Sequence, residues 1–534
     1  MGWIKGVQNY LDEKYLGPND WVNTDGFIEI NNDNDLLNYI SNNENVRVLG
    51  SGWSWNQKPF KHSHKLIGLR GDYQTKYQVN LDKKLMECGA AMTVTQVQAI
   101  IQNNWPNLDI NSKGGSFSWN ETQTVGGIIS TNTHHSFLEQ FSTNVAYMHI
   151  ATFINGKAKI VEVSRNKHSH LFYNIFGSSG RLGIILKIAF ILKPVRLYKS
   201  HVNITTEPFE KAIMSRLDKM LANSKKHKLN EEPYYFNVFP FIGKYFTVLE
   251  IVAERDKRKF DSKEVQWKIT KYLKTNKKIH EYVFQLSEYF FMFISNNSSF
   301  PKIFENYFKF MLYILNLFRF SIVLEFVQSL FKTGITNSLT TIIPGLLLWV
   351  DKFNLDFEKQ PKSQLCAVLP VRMTVAPVRS GPFPKVDGTN TYISNHISTD
   401  MSIAIDPNNA VTFIKMFFQK YKTLIENEKI KYQYSFTCRY VLKEKCPLSF
   451  SYENDVVVFD CWSFVPGFNN FDIIKKALLQ TLIYLDLEKN MHVKIQYHEG
   501  KFQPELPEKY ITNPFKTKQF KTLQEKHDPF QKFN

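Results

Sequence analysis

Cysteine is sparse: Cys88, Cys366, Cys438, Cys446 and Cys461 form an odd set with no Cys-x-x-Cys spacing. Such a set argues against a disulfide framework or a zinc-thiolate site, so no metal centre is expected and a reducing compartment is the default. Arginine is scarce as well. The 66 basic residues divide into 12 Arg and 54 Lys, and no Arg cluster accompanies the net charge of +17. Readers of base sequence lean on bidentate Arg forks, so the charge alone does not point to nucleic acid, and no nucleic-acid partner is expected. No charged n-region followed by an apolar run opens the chain, so no signal peptide and an intracellular location are expected. Gly6 stands where a myristoylation signal has Ser or Thr. There is no internal repeat. A clean membrane-spanning run is missing too. Residues 333–350 are uncharged over 18 positions but include Asn337, Ser338, Pro344 and Gly345.

What is present is length and aromatic mass. A chain of 534 residues exceeds one hydrophobic core, which implies two or three structural units. Aromatic residues make up 15%, with 44 Phe and 25 Tyr, which suits large apolar interfaces or a pocket for a planar ligand. They concentrate in residues 276–350, where Lys302, Glu305, Lys309, Arg319, Glu325 and Lys332 interrupt the apolar pattern. Buried helices of a cap domain are the expected form, with peripheral contact to a membrane surface as the other reading.

The pattern along the chain is α+β. Residues 46–49 read as a buried strand, 92–102 as a helix, and 150–154 with 159–163 as a hairpin around Asn155-Gly156. Residues 183–192 read as a strand closed by Pro194. Further strands are expected near 245–252, 368–375, 402–405, 439–442 and 456–459, and helices at 410–425 and 472–487. The lysine-rich tail, 512–534, reads as a loosely held end.

Three loops rich in small residues carry the chemistry. The first is Arg47-Val48-Leu49-Gly50-Ser51-Gly52-Trp53-Ser54-Trp55. A strand that runs into Gly-Ser-Gly lets backbone N–H groups meet an anion without Cβ clashes, although a plain tight turn has the same form. The second joins Gly114-Gly115-Ser116-Phe117-Ser118 to Thr124-Val125-Gly126-Gly127-Ile128-Ile129-Ser130-Thr131-Asn132-Thr133-His134-His135. The third is Phe172-Tyr173-Asn174-Ile175-Phe176-Gly177-Ser178-Ser179-Gly180-Arg181-Leu182-Gly183-Ile184-Ile185. They follow one another about 60 residues apart, and together they are far more specific than any one alone.

In that order they resemble the FAD-binding (PCMH-type) domain of the vanillyl-alcohol oxidase superfamily, most closely its sugar-lactone (gulono-, galactono- and arabinono-lactone) and alditol oxidase branch. The resemblance covers roughly residues 20 to 195. It implies a two-part FAD-binding domain over residues 1–197 and an α+β substrate or cap domain over 198–480. Residues 481–534 would return to the FAD domain. By the same resemblance Gly50, Ser51, Gly52, Trp53 and Ser54 meet the pyrophosphate. Gly115, Ser116, Thr124, Val125, Gly126, Gly127, Ser130, Thr131 and His134 line the flavin, and Gly183, Ile184 and Ile185 belong to the adenine side. Cys438-Arg439-Tyr440-Val441 followed by residues 446–452 is similar to the family's Glu-x-Arg segment, and His498-Glu499-Gly500-Lys501 to its His-Trp-Gly-Lys motif. Arg439, Lys501 and His498 are the implied catalytic residues. Hydride arriving at flavin N5 leaves negative charge near N1 and C2=O, which a nearby cation stabilises. His498 would orient Lys501 or the flavin. His134 is also a candidate acid–base group near neutrality, and His135 reads as incidental.

Three residues depart from the family's pattern. Trp53 replaces the histidine that links covalently to the flavin, so a dissociable, non-covalent FAD is expected. Thr437 replaces the glutamate two residues before Arg439, which leaves polyol and aldonolactone specificity open. Glu499 replaces the tryptophan, which changes the pocket wall. Gly115 leaves space for oxygen near the flavin, as an oxidase requires. The resemblance implies an FAD-dependent oxidase or dehydrogenase acting on a CH–OH group of a small-molecule sugar lactone, polyol or related alcohol, with oxygen as acceptor. Two other readings stand beside it: reduction of a lipophilic, sterol-like double bond, and a degenerate FAD-fold protein with a structural role.

Overall fold

The computed structural model describes residues 28–50, 65–105, 108–110, 123–133, 141–194, 197–225, 234–240, 245–256, 399–427, 435–463, 471–499, 501, 503–530 and 532–533. The expected strand at 368–375 and the aromatic block at 276–350 lie outside them, so the expected cap helices and membrane contact are not described.

The described residues begin with a small parallel sheet. Strands β1 (Ile28–Ile30), β2 (Val46–Val48) and β3 (Lys65–Leu69) align in the order β1-β3-β2. Helix α1 (Asp33–Asn42) connects β1 to β2. Its N-cap Asn32 accepts from the Asp35 N–H, and Leu36 and Ile40 face inward. After the short α2 (Asp72–Thr75) come β4 (Tyr77–Asn80), β5 (Leu85–Gly89), α3 (Val94–Asn104) and β6 (Leu108–Asp109). Thr93 and Gln96 form a reciprocal capping box at the start of α3. Then follow α4 (Val125–Ser130), α5 (Phe141–Asn144), β7 (Val145–Ile154), β8 (Lys157–Ser164), α6 (Ser169–Ile175), β9 (Ile184–Ile191) and β10 (Lys193–Pro194).

These strands build a five-stranded antiparallel sheet in the order β4-β5-β9-β7-β8. The β7–β8 turn has Asn155 at φ 53° and Gly156 at φ 73°, the left-handed pair that a two-residue hairpin demands. Both faces of the central strand β9 are buried, which is why it is apolar at nearly every position. Ile185, Ile188 and Phe190 pack with residues of α3, α4 and α6, whereas Ile184 and Leu186 pack toward the parallel sheet.

The second half forms a seven-stranded antiparallel sheet. Its elements are β11 (Leu197–Pro208), α7 (Phe209–Lys225), β12 (Tyr234–Pro240), β13 (Tyr245–Asp256), β14 (Thr399–Ile405), α8 (Pro407–Asn427), β15 (Ser435–Val441), β16 (Val456–Ser463), α9 (Phe471–Glu488) and β17 (Gln496–Tyr497). The strand order is β11-β13-β12-β15-β16-β14-β17. Alternation sorts its central strands. Met401, Ile403, Phe436, Cys438, Phe459 and Cys461 pack with α7, α8 and α9, and the Phe436 and Phe459 rings stack 5.6 Å apart. Ser402, Thr437, Arg439 and Asp460 occupy the opposite phase.

The tail departs from expectation. Lys518–His527 is helix α10, and its Phe520 lies in the same core as Ile128 and Phe172. Phe533 is fully buried with Phe153 in the core shared with the parallel sheet, and the Val46 N–H donates to the Lys532 carbonyl at 2.7 Å. Two aromatic anchors hold an otherwise polar segment, so it is not a loose end. The architecture is α+β, as the sequence pattern implies.

Candidate functional site

The described parts of the three glycine loops meet. Leu49 donates to Ile67 O and sets Gly50 at the end of β2, where an added Cβ would stand 2.6 Å from Thr124 Oγ1. Only glycine lets the first loop lie this close to the second. The second meets the third through backbone bonds from Gly177 N to Ile129 O at 3.0 Å and from Ser179 N to Ser130 O at 2.8 Å. Arg47, buried at the start of the first loop, reaches Gly180 O at 3.4 Å. Burial is the main reason its guanidinium falls to about 9, with nearby Arg181 adding to the effect and Asp528 opposing it.

Local bonds organise the described part of the second loop, residues 123–133. Val125 N donates to Met92 O, Gly126 N to Ala90 O and Gly127 N to Thr124 Oγ1. Those amides are engaged within the protein, so this turn contributes shape rather than free N–H donors. Thr131 Oγ1 donates to Gly127 O at 3.1 Å and shares a hydrogen bond with Thr133. In the third loop Gly183 adopts φ 140°, and a Cβ there would stand 2.5 Å from Ala151 O. Ile184 and Ile185 beside it are core residues of β9. Ser51, Gly52, Trp53, Ser54, Gly115, Ser116, His134 and His135 lie outside the described residues.

The seven-stranded sheet supplies a second cluster. Strand register places Thr437, Asp460 and Ser402 side by side across β15, β16 and β14. The His498 N–H continues the ladder beyond β17 by donating to Ser402 O at 3.2 Å. The result is one cross-strand row of four polar residues from distant parts of the chain. Arg439, two positions beyond Thr437 on the same face, reaches diagonally so that its Nη2 lies 2.6 Å from Asp460 Oδ2. Ser402 Oγ donates to the other oxygen of that carboxylate. Burial pushes the Asp460 carboxyl upward, against the opposing pull of Arg439 and Ser402.

His498 is buried, with its ring 5.7 Å from that of Phe450. Its pKa falls to about 3, first because of burial and then because of Arg439, while a hydrogen bond to the Asn132 backbone opposes both. It is therefore a neutral imidazole at physiological pH. Lys501 follows in the same turn, its N–H donating to His498 O at 3.1 Å, and burial lowers its ammonium to about 7.

The expected catalytic residues thus converge. Arg439 and His498 share one sheet face, and Lys501 adjoins His498. Their face is tied to the glycine loops through His498 and Glu499. His498 bonds to the Asn132 backbone, and Glu499 accepts from Ser179 Oγ at 3.3 Å and from Arg181 Nη1 at 3.5 Å. Glu499, in the place of the family's tryptophan, fastens this turn to the third loop. The pattern reading missed Asp460, Ser402 and Asn132. A lone carboxylate in the apolar strand Val456–Ser463 was the available signal for Asp460.

The solved structures supply the comparison. The cholesterol oxidase of Brevibacterium sterolicum matches over 95% of this chain and 92% of its own, with a TM-score of 0.53 at 10% identity. A histidine-to-alanine variant of that enzyme matches over the same shares, with a TM-score of 0.51 at 11% identity. This chain has a cholesterol-oxidase fold. No protein-family profile and no curated sequence matches it. The match is one of fold, and it does not single out the lactone-oxidase branch implied by the loop motifs.

The residues present suit the FAD that the loop motifs imply. The first loop lies where a Cβ would collide, and Arg439 Nε and Asn132 Oδ1 are buried with no hydrogen-bond partner among the described residues. The half-buried Arg439 guanidinium, with Lys501 in the turn after His498, brings positive charge that suits an anionic or electron-accepting group.

Proposed function

We propose that the protein is an FAD-dependent oxidoreductase that oxidises a CH–OH group of a sugar lactone, polyol or related alcohol, with oxygen as acceptor. The observation that carries this reading is the convergence of Arg439, His498 and Lys501 beside the meeting point of the three glycine loops. The loops from Gly50, Thr124 and Gly183 would hold the dinucleotide, which would stay dissociable because Trp53 offers no nucleophile for a covalent link. Bound FAD supplies the hydride acceptor. Arg439 places fixed positive charge where electrons gather. Lys501, titrating near neutrality, takes or returns a proton at its Nζ, and neutral His498 holds the turn that carries it.

A sterol-type alcohol is the second substrate class. It is favoured by the name of the solved neighbours and by the apolar cluster of Ala404, Val441, Phe450, Val456 and Val458 on the Arg439 face. One experiment tests both classes. Purified protein incubated with FAD should show flavin absorption that leaves with the supernatant on acid precipitation. Anaerobic addition of lactones, alditols or cholesterol should bleach it, and air should restore the colour with release of hydrogen peroxide. Protein that stays colourless with FAD sinks the proposal, and bound flavin that no alcohol bleaches favours the structural role.

A further inference from the structure

We infer that Asp460 is the positioning residue of the site, a carboxylate on β16 that orients the Arg439 guanidinium from the neighbouring strand. The inference rests on the flavin-site reading above. The sequence places threonine at 437, where the resembling family carries its glutamate, and this leaves Arg439 without a carboxylate on its own strand. Pairing of β15 with β16 sets Asp460 directly opposite Thr437, on the same sheet face. The two carboxylate oxygens of Asp460 are divided between two partners: Oδ1 accepts from Ser402 Oγ, and Oδ2 lies 2.6 Å from Arg439 Nη2. Ser402 is fixed in turn by β14, which pairs it with Asp460, and its carbonyl receives the His498 N–H. One buried carboxylate therefore links the strand of Arg439 to the turn of His498 and Lys501. A buried ion pair contributes little net stability but holds a strict geometry, because displacing either partner leaves an uncompensated charge.

The test is a double-mutant cycle on the FAD-loaded protein, read as the midpoint potential of the bound flavin and as kcat with the donor that bleaches it. The variants are Asp460→Asn, Arg439→Met, both together, and Thr437→Glu with Asp460→Asn. If Asp460 acts through Arg439, Asp460→Asn shifts the flavin equilibrium about tenfold, roughly 30 mV for two electrons, and lowers kcat about tenfold or more. Both effects disappear in the Arg439→Met background. Thr437→Glu, which returns a carboxylate to the strand of Arg439, recovers most of the loss. Equal effects of Asp460→Asn in both backgrounds, or no recovery with Thr437→Glu, overturn the inference. Should Asp460→Asn fail to fold, Ser402→Ala, which removes only the bond to Oδ1, takes its place in the cycle with a smaller shift in the same direction. A wild-type protein that binds no FAD instead fails the functional reading, and this inference falls with it. A yellow wild-type protein with an additive cycle fails the inference alone.

Discussion

At Gly183 the backbone stands at φ 140° with the Ala151 carbonyl 2.5 Å from where a Cβ would sit, so steric and conformational demands coincide at one residue. Gly183→Ala should lower stability by roughly 1–3 kcal/mol, measured as a shift in the urea midpoint, and should disturb the third loop. Lys501 presents a different problem, that of a charge held out of water. Its ordinary pKa of 10.5 falls to about 7 in the folded chain. Between those values the unfolded state binds one more proton than the folded state, so stability should rise with pH across that window. Below about pH 7 the full penalty of burying the ammonium acts. Lys501→Met should remove this slope, about 1.4 kcal/mol per pH unit, and should be the more stable protein at neutral pH and below. Thermal unfolding of both proteins from pH 6 to 10, without ligand, checks this, and parallel curves would refute it.

Helix α10 shows how few apolar side chains can anchor a polar element. Its sequence is polar and lysine-rich, and Thr517 caps it by accepting from Phe520 N. Phe520 is its buried apolar anchor. Downstream, the Asp528 carboxylate accepts from Lys532 N at 2.5 Å and Phe533 N at 3.0 Å, which turns the chain so that Phe533 enters the core. Burial is the main reason the Asp528 carboxyl rises to about 6. Phe520→Ala should cost about 3–5 kcal/mol, read by chemical denaturation, and should open residues 518–533 to limited proteolysis that the wild type resists. Wild-type protein clipped there as rapidly as the variant would show that the element is not anchored. Strand β9 makes the complementary case. It is apolar on both faces, so truncating a fully buried side chain such as Phe190 leaves a cavity in the core and is costly as well.

Across the molecule, Glu444 joins the two halves. Asn132 Nδ2 donates to its Oε1 at 2.8 Å and Ser142 Oγ to its Oε2 at 3.0 Å, so a segment after β15 is bonded to the second glycine loop and to α5, about three hundred positions earlier. Burial raises this carboxyl above its ordinary value, against four hydrogen bonds that pull it down. A folded pKa raised in this way contributes stability below the ordinary carboxyl range and loses it as pH rises. Glu444→Gln keeps an acceptor for Asn132 and sheds the buried charge, so it should be as stable as the wild type at pH 7, or more so. Glu444→Ala strands two buried donors and should lose roughly 1–3 kcal/mol. Calorimetry of the two variants at pH 7 decides between these outcomes, and equal losses in both would refute the account.

Much of this was legible in one dimension. The glycine loops, the Asn155-Gly156 turn and the alternating strands around 402, 439 and 458 depend on steric freedom and side-chain period, both local properties of the chain. Arg439, His498 and Lys501 were recognisable because their motifs are short and contiguous. The row of Thr437, Asp460, Ser402 and His498 was not. Alternation tells which face a residue takes but not which strand lies beside it, since pairing register is set by packing among segments far apart in sequence. The same holds for the tail, whose two buried aromatics are too few to form a pattern and acquire their meaning only against Ile128, Phe153 and Phe172. Local sequence wrote the loops and the strand faces; long-range pairing of strands placed a carboxylate beside Arg439, because charges meet in space and not along the chain.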